Sequence, residues 1–200
     1  MVKTLLNVGA GHRSNQAALP KHFRGPDWRE IRVDINPNND PDILGSMLHM
    51  PGVEPESIDA VFSSHSIEHL YPEEIPIALQ EFLRVLKSDG VVVINCPDIQ
   101  AAAELIAQDK LLDTAYMSPS GIAVTPFDMV YSHRSMTGRD KPFMAHHCGF
   151  TLSVLRTTMI ANGFGAAAGG RGHFDLWVVA SKASHTDESI ENLATLILKG

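Results

Sequence analysis

Short apolar runs, each closed by glycine, proline or asparagine, recur along the first hundred residues of the chain. Leu5-Leu6-Asn7-Val8 runs into Gly9-Ala10-Gly11, which predicts a buried strand ending in a tight turn, with a helix to follow. The stretch Arg29-Glu30-Ile31-Arg32-Val33-Asp34-Ile35 alternates in polarity and stops at the polar breaker run 36–41. Asp42-Ile43-Leu44 predicts a short third strand, residues 58–63 a fourth and residues 90–95 a fifth. Between the last two, Ile75, Leu79, Phe82, Leu83 and Leu86 recur at helical spacing. That helix is expected to open near Pro72-Glu73-Glu74 and to close at Lys87-Ser88-Asp89-Gly90. Thr151 is placed to cap a helix running to Ala161, with Gly163 at its end. Residues 174–180 read as a last strand and 187–198 as a C-terminal helix.

Strands separated by helical patterns imply βαβ units, hence a largely parallel α/β sheet with helices on both faces. Residues 101–149 break the pattern. They are rich in Met, Pro, Gly and His, show no sustained period, and read as a lid or substrate-binding insertion. The expected organisation is therefore one domain over residues 1–183, containing that insertion, followed by a C-terminal helix within 184–200.

Composition narrows the setting. With 200 residues, 44% hydrophobic and 20% charged, the chain can bury a substantial core. Its apolar runs, such as Val91-Val92-Val93-Ile94, are far short of the roughly 20 residues a membrane span needs, so no membrane partner is expected. No signal peptide is visible, because the glycine turn interrupts the first apolar run. Cys96 and Cys148 are too few for a disulfide framework, and a reduced cytoplasmic setting is expected. A net charge of −7 without a block of Lys or Arg argues against a nucleic-acid surface.

At Gly9-Ala10-Gly11, glycines allow positive φ and let a ligand approach the backbone closely. Asp34 closes the second strand, 23 residues after Gly11, where an acid can accept from both hydroxyls of a ribose. A nucleoside-containing ligand across the carboxyl edge of the sheet follows. The last glycine of the dinucleotide fingerprint is replaced by Ser14, and no Gly-Lys-Ser/Thr phosphate loop is present, so no pyrophosphate need be cradled.

At this point the sequence resembles the class I S-adenosylmethionine-dependent methyltransferases, particularly small bacterial-type members. The likeness is carried in order by LLNVGAG, RVDINP, SIDAVFSSHSIEHL, EFLRVLKSDGVVVINCPD and HHCGFTLSVLRTTMIANGF, over about residues 4 to 181. It implies a Rossmann-like, doubly wound, mostly parallel seven-stranded sheet with an antiparallel last strand, residues 165–180 supplying the final hairpin. It implies S-adenosylmethionine as cofactor, with Asn7, Gly9 and Gly11 beside the methionyl part, Asp34 on the ribose and Ile35 against adenine. Ser46 stands where an acid is common, so adenine contacts are expected from Met47 and Leu48 instead. Ser63, Ser64 and His65 should line the methionine side. Such chains often carry helices before the first strand; here cover is expected from residues 101–149 or from a partner subunit.

His65-Ser66-Ile67-Glu68-His69 also matches the inverted zinc-peptidase pattern, with both histidines as metal ligands and the glutamate as general base. Pro72 leaves only a short helix, and no third ligand is marked, so no metal is expected; Glu68 and His69 are read as orienting the loop by hydrogen bonds. His133, His146 and His147 lie in the irregular segment with Tyr131 and Arg134, positions suited to an acceptor. A hydroxyl acceptor needs its proton removed, and a neutral histidine suits. His65 is the first candidate base, then His146 or His133. The expectation is a methyltransferase acting on a small-molecule or saccharide-like acceptor. The alternatives are a non-catalytic protein that binds S-adenosylmethionine or a nucleoside, and a zinc hydrolase. A homodimer is possible through the apolar side of Leu193, Leu196 and Ile197, which could equally pack on their own sheet.

Overall fold

The computed structural model describes residues 2–13, 19–118, 121–134 and 142–199. Nine strands and five α-helices follow one another along it: β1 (Lys3–Val8), β2 (Trp28–Asp34), β3 (Ile43–Leu44), β4 (Ile58–Ser64), α1 (Ile75–Val85), β5 (Leu86–Pro97), α2 (Ile99–Ile106), β6 (Tyr116–Met117), β7 (Ala123–Val124), α3 (Pro126–Tyr131), α4 (Leu152–Ala161), β8 (Ala166–Arg171), β9 (Asp175–Ser181) and α5 (Asp187–Lys199). Seven strands form one sheet in the order β3-β2-β1-β4-β5-β9-β8, and β6 and β7 form a separate hairpin. All neighbours from β3 to β5 pair in parallel, whereas β9 runs antiparallel to both β5 and β8. The order reverses between β1 and β4, the point at which an open parallel sheet leaves a crevice for ligands at its carboxyl edge.

Alternate side chains of the central strands serve two cores, as a sheet covered on both faces requires. Leu6, Val8, Val61, Val92 and Ile94 pack under α1 and α4, against Leu79, Phe82, Leu155 and Met159. Leu5, Ala60, Phe62, Val91 and Val93 face the other way, with Phe23 and with Ile190, Ala194 and Ile197 of α5. Ile197 and Leu193 thus pack on their own sheet.

Several local expectations change. The helix expected after the glycine turn falls largely on residues 14–18, outside the described residues. Ser14 lies there too. Helix α1 stops at Val85, and Leu86–Gly90 already belongs to β5 rather than to a helix end. The His65–His69 stretch forms one 3-10 turn, Ile67–His69, instead of a helix. Within 101–149 the chain is not irregular throughout. Helix α2 is capped by Asp98, which accepts from the backbone N–H groups of Gln100 and Ala101. Helix α3 is capped by Thr125, with Asp128 reaching back to the Thr125 N–H. No helix among the described residues is long and apolar enough to cross a membrane.

Candidate functional site

The polar row of β2 builds the glycine turn from below. Glu30, Arg32 and Asp34 alternate with Ile31 and Val33 and so point to one face. Arg32, almost fully buried, donates to the carbonyls of Ala10 (2.8 Å) and Gly11 (3.3 Å) and pairs with Glu30 at 2.9 Å. Glu30 also accepts from the Asn7 side chain at 2.7 Å. Asp34 accepts from the N–H groups of Gly11 and Asn36, both at 2.8 Å. One N–H is thus held by each oxygen, and about half of the carboxylate's roughly four lone-pair sites remain for further donors.

Gly9 and Gly11 both have positive φ, +69° and +63°, for different reasons. A Cβ on Gly9 would stand 2.2 Å from Ser66 Oγ, so close approach of the β4 loop demands glycine there. A Cβ on Gly11 would meet no described atom within 4 Å. Met47 lies beside Gly9, its Cε 3.9 Å from where a Gly9 Cβ would stand. Leu48, half-buried, packs on the core next to it, in a turn closed by the Ser46 hydroxyl, which accepts from the Leu48 N–H. Ile35 is exposed just past Asp34. The glycine turn, Asp34, Ile35 and Met47 therefore frame one open edge, fit for a nucleoside with an extended substituent. Asn7 differs: its side chain is tied to Glu30 beneath the turn.

Across the reversal, β4 ends in Ser63 and Ser64. Ser63 is buried, its hydroxyl unpartnered among the described residues, and the Ser64 hydroxyl donates to Asn95 of β5 at 3.0 Å. His65 follows with φ +48°, in the left-handed region, its N–H held by the Asn95 carbonyl at 2.8 Å. Non-glycine residues persist there only when their surroundings fix them, and such positions concentrate at functional sites. The ring of His65 is 44% exposed, between Glu68 (3.5 Å) and Asp175 (3.6 Å). Burial opposes its charge, but Asp175 and Glu68 outweigh that and raise its pKa from 6.5 to about 10. In this arrangement the imidazole is protonated near neutral pH. In that state it is a hydrogen-bond donor.

The return of the 101–149 segment is fastened to the β4 loop. The N–H groups of His147 and Cys148 donate to the Glu68 carbonyl at 2.9 and 3.2 Å, and the His69 ring bonds the Ala145 carbonyl at 3.0 Å. His69 thus orients the loop as expected. Glu68 does so through its main chain, not its carboxylate. His146 packs edge-on against His69, with ring centroids 4.9 Å apart, and turns Nδ1 to the Met129 carbonyl. Burial lowers its pKa. His147 stacks on Tyr71. His133 follows α3 and is half-buried. Tyr131 is exposed, and Arg134 pairs with Asp128 at 3.2 Å.

Sequence reasoning missed Arg32, Glu30, Ser66, Asn95 and Asp175. The polar members of the alternating β2 were the available signal for the first two. Asp175 was hidden because it opens β9, and only the antiparallel pairing of β9 with β5 brings it to the carboxyl edge, beside Pro97. Tyr116 of the β6–β7 hairpin stacks on Phe174 next to it; burial, then Asp175 and Asp128, raise the Tyr116 pKa to about 12. A cavity of about 440 Å³ lies between β8 and α5, with Arg171, Gly172 and Trp177 in its lining.

Residues 6–94 match a family model described as a methyltransferase domain. No curated protein sequence matches the chain. Among solved structures, an S-adenosylmethionine-dependent methyltransferase from Archaeoglobus fulgidus is 15% identical with a TM-score of 0.59, covering 90% of this chain and 86% of that one. A putative one from Methanococcus maripaludis is 15% identical with a TM-score of 0.56, covering 94% and 80%. The Burkholderia thailandensis 1,6-didemethyltoxoflavin-N1-methyltransferase, bound to 1,6-didemethyltoxoflavin and S-adenosylhomocysteine, is 14% identical with a TM-score of 0.54, covering 92% and 72%.

Proposed function

We propose that this chain is a class I S-adenosylmethionine-dependent methyltransferase that methylates a small-molecule or saccharide-like acceptor held between the carboxyl edge of β4–β5 and the 101–149 segment. The observation that carries this reading is the pair of open-edged elements facing each other across the β1–β4 reversal: the Gly9–Gly11 turn with Asp34, and His65 with Asp175.

Gly9 and Gly11 leave the backbone bare for the methionyl part. Asp34 has acceptor capacity for the ribose hydroxyls, and Ile35, Met47 and Leu48 offer apolar surface to adenine. When bound, S-adenosylmethionine supplies an already activated methyl group, so the protein's own task is alignment and exclusion of water. His65, half-exposed at the end of β4, orients the acceptor, with Ser63 and Ser64 behind it. Residues 101–149 act as the lid, fixed at their return by the His147 and Cys148 N–H groups on Glu68. His133 and His146 rank behind His65 as catalytic candidates, His146 because its Nδ1 is tied to Met129.

A small acceptor is supported by the net charge of −7 and by the bound small molecule of the Burkholderia fold neighbour. A cytoplasmic setting belongs to the same reading, supported by the unpaired Cys96 and Cys148, as does a homodimer. Calorimetric titration with S-adenosylmethionine tests the core of it. Binding is expected for the wild type. Asp34→Ala should weaken it roughly 10- to 150-fold, the loss of a charge-assisted hydrogen bond of about 1.5–3 kcal/mol. Unchanged affinity in a folded Asp34→Ala variant would sink the assignment of Asp34.

A further inference from the structure

The carboxylate of Glu68 is not used by the function proposed above, and its surroundings are unusual for a structural anion. The residue is 1% exposed; the His65 ring faces its Oε1 at 3.5 Å, and among the described residues neither oxygen has a hydrogen-bond partner. A carboxylate removed from water ordinarily requires such partners. Two imidazoles converge on it from different parts of the chain. His69 bonds the Ala145 carbonyl through Nδ1, and His146 bonds the Met129 carbonyl through Nδ1, both at 3.0 Å. A carbonyl only accepts, so each Nδ1 carries the hydrogen and each Nε2 presents a lone pair. His146 Nε2 lies 4.0 Å from Glu68 Oε1. One donor atom from each of Glu68, His69 and His146 falls within 4.8 Å of the others.

We propose that Glu68, His69 and His146 bind one zinc ion, which fastens the 101–149 segment to the β4 loop. Two neutral imidazole nitrogens and one carboxylate oxygen suit a borderline transition ion and not magnesium or calcium, which take oxygen ligands. The two backbone carbonyls are the outer partners that fix the tautomer of metal-binding histidines. Ligands about 2.0–2.2 Å from a tetrahedral zinc stand about 3.3 Å apart, so the cluster must close by roughly 1.5 Å at its widest. Side-chain rotation can supply that movement. The ion would join residues 68 and 69 to residue 146 and, through the Met129 carbonyl, to α3. This is not the inverted peptidase arrangement. There His65 and His69 would be ligands and Glu68 the base, whereas here Glu68 is itself a ligand and His65 faces Asp175 as well.

The test uses the full chain freed of metal by chelator, without an affinity tag, titrated with zinc chloride and separately with cobalt chloride. One equivalent should bind, cobalt giving the visible absorption of a four- or five-coordinate ion. Zinc at about a hundredfold excess over its Kd should raise Tm by roughly 5–11 °C. Limited proteolysis within 107–134 should slow when zinc is bound. Glu68→Gln and His146→Ala should each weaken binding by more than about a hundredfold, beyond the ~10- to 100-fold loss typical of an outer partner. His69→Gln stands in if either fails to give a native circular dichroism spectrum. A folded wild type that takes up no zinc, or variants that bind as tightly, would overturn the site. Binding with unchanged proteolysis would overturn the fastening role. S-adenosylmethionine titration of the same metal-free samples is a separate readout, so failure of either assignment is distinguishable from failure of the other.

Discussion

Replacing Gly9 by alanine would set a methyl group 2.2 Å from Ser66 Oγ and 2.7 Å from Ser66 Cβ, at a φ of +69°. Ser66 cannot simply rotate away, because its Cβ is as much in the way as its hydroxyl. The hydroxyl also bonds the carbonyls of Ser64 (3.0 Å) and Gly9 (3.3 Å). The left-handed backbone costs about 1–2 kcal/mol for an L-residue, and overpacking at a tight contact about 1–3 kcal/mol. A total near 3 kcal/mol corresponds to a drop in Tm of about 6–12 °C for a domain of this size. Gly11→Ala carries the backbone cost alone, since its methyl meets no described atom within 4 Å, and should lower Tm by only about 2–8 °C. Its effect should appear instead in S-adenosylmethionine affinity, which is expected to fall at least about tenfold as the methyl enters the methionyl space. Ser66→Gly added to Gly9→Ala should recover about 1–3 kcal/mol, the steric part, and nothing of the backbone part. Thermal denaturation and calorimetry on the three variants separate these effects. Equal destabilisation by Gly9→Ala and Gly11→Ala, or full affinity in Gly11→Ala, would refute the distinction between a packed and an open glycine.

Asp98 is buried, caps α2 and pairs with Arg171, so Asp98→Ala should cost about 2–4 kcal/mol and expose residues 99–106 to protease first. A cleavage pattern unchanged from wild type would count against the cap as the element that holds α2. The pairing of Glu81 with Arg84, reinforced by the Met50 N–H, lowers the Glu81 pKa below 4.5. The stability it contributes is therefore complete above pH 4.5 and lost as pH falls through the depressed value. Urea denaturation should show wild type losing more stability than Glu81→Gln between pH 5 and the acid limit; parallel curves would remove the linkage. Arg32→Met should leave the carbonyls of Ala10 and Gly11 without their donor, and amide hydrogen exchange at residues 9–12 should quicken by about tenfold or more.

The sheet was legible because its central strands are short apolar runs stopped by turn residues, and periodicity reports such burial directly. Strand β8 was legible only through the family likeness. Its Ala166-Ala167-Ala168-Gly169-Gly170 has little β-propensity. It forms because α4 and α5 crowd the sheet there, and because a Cβ on Gly169 would lie 2.0 Å from the Trp177 carbonyl oxygen. Small size, not strand preference, is what that position selects. Helices α2 and α3 escaped the periodic reading because they span eight and six residues, too few for a pattern, and depend on the Asp98 and Thr125–Asp128 caps. The glycine turn and Asp34 were readable as neighbours on consecutive strands. The meeting of Glu68 with His146 was not, since a long non-periodic stretch separates them and only the folded return of that stretch brings them together.

The order of the sheet has a consequence for synthesis. β5 carries the apolar run Val91–Ile94, and its far edge is closed only by β9, which follows every other described strand in the chain. Until residue 181 is available, a nascent chain that has assembled the parallel half displays an unpaired Val91–Cys96 edge, a ready template for another chain. The ribosome-bound chain is accordingly the form most in need of a chaperone. Truncations before residue 175 should be recovered as aggregates rather than as smaller folded domains.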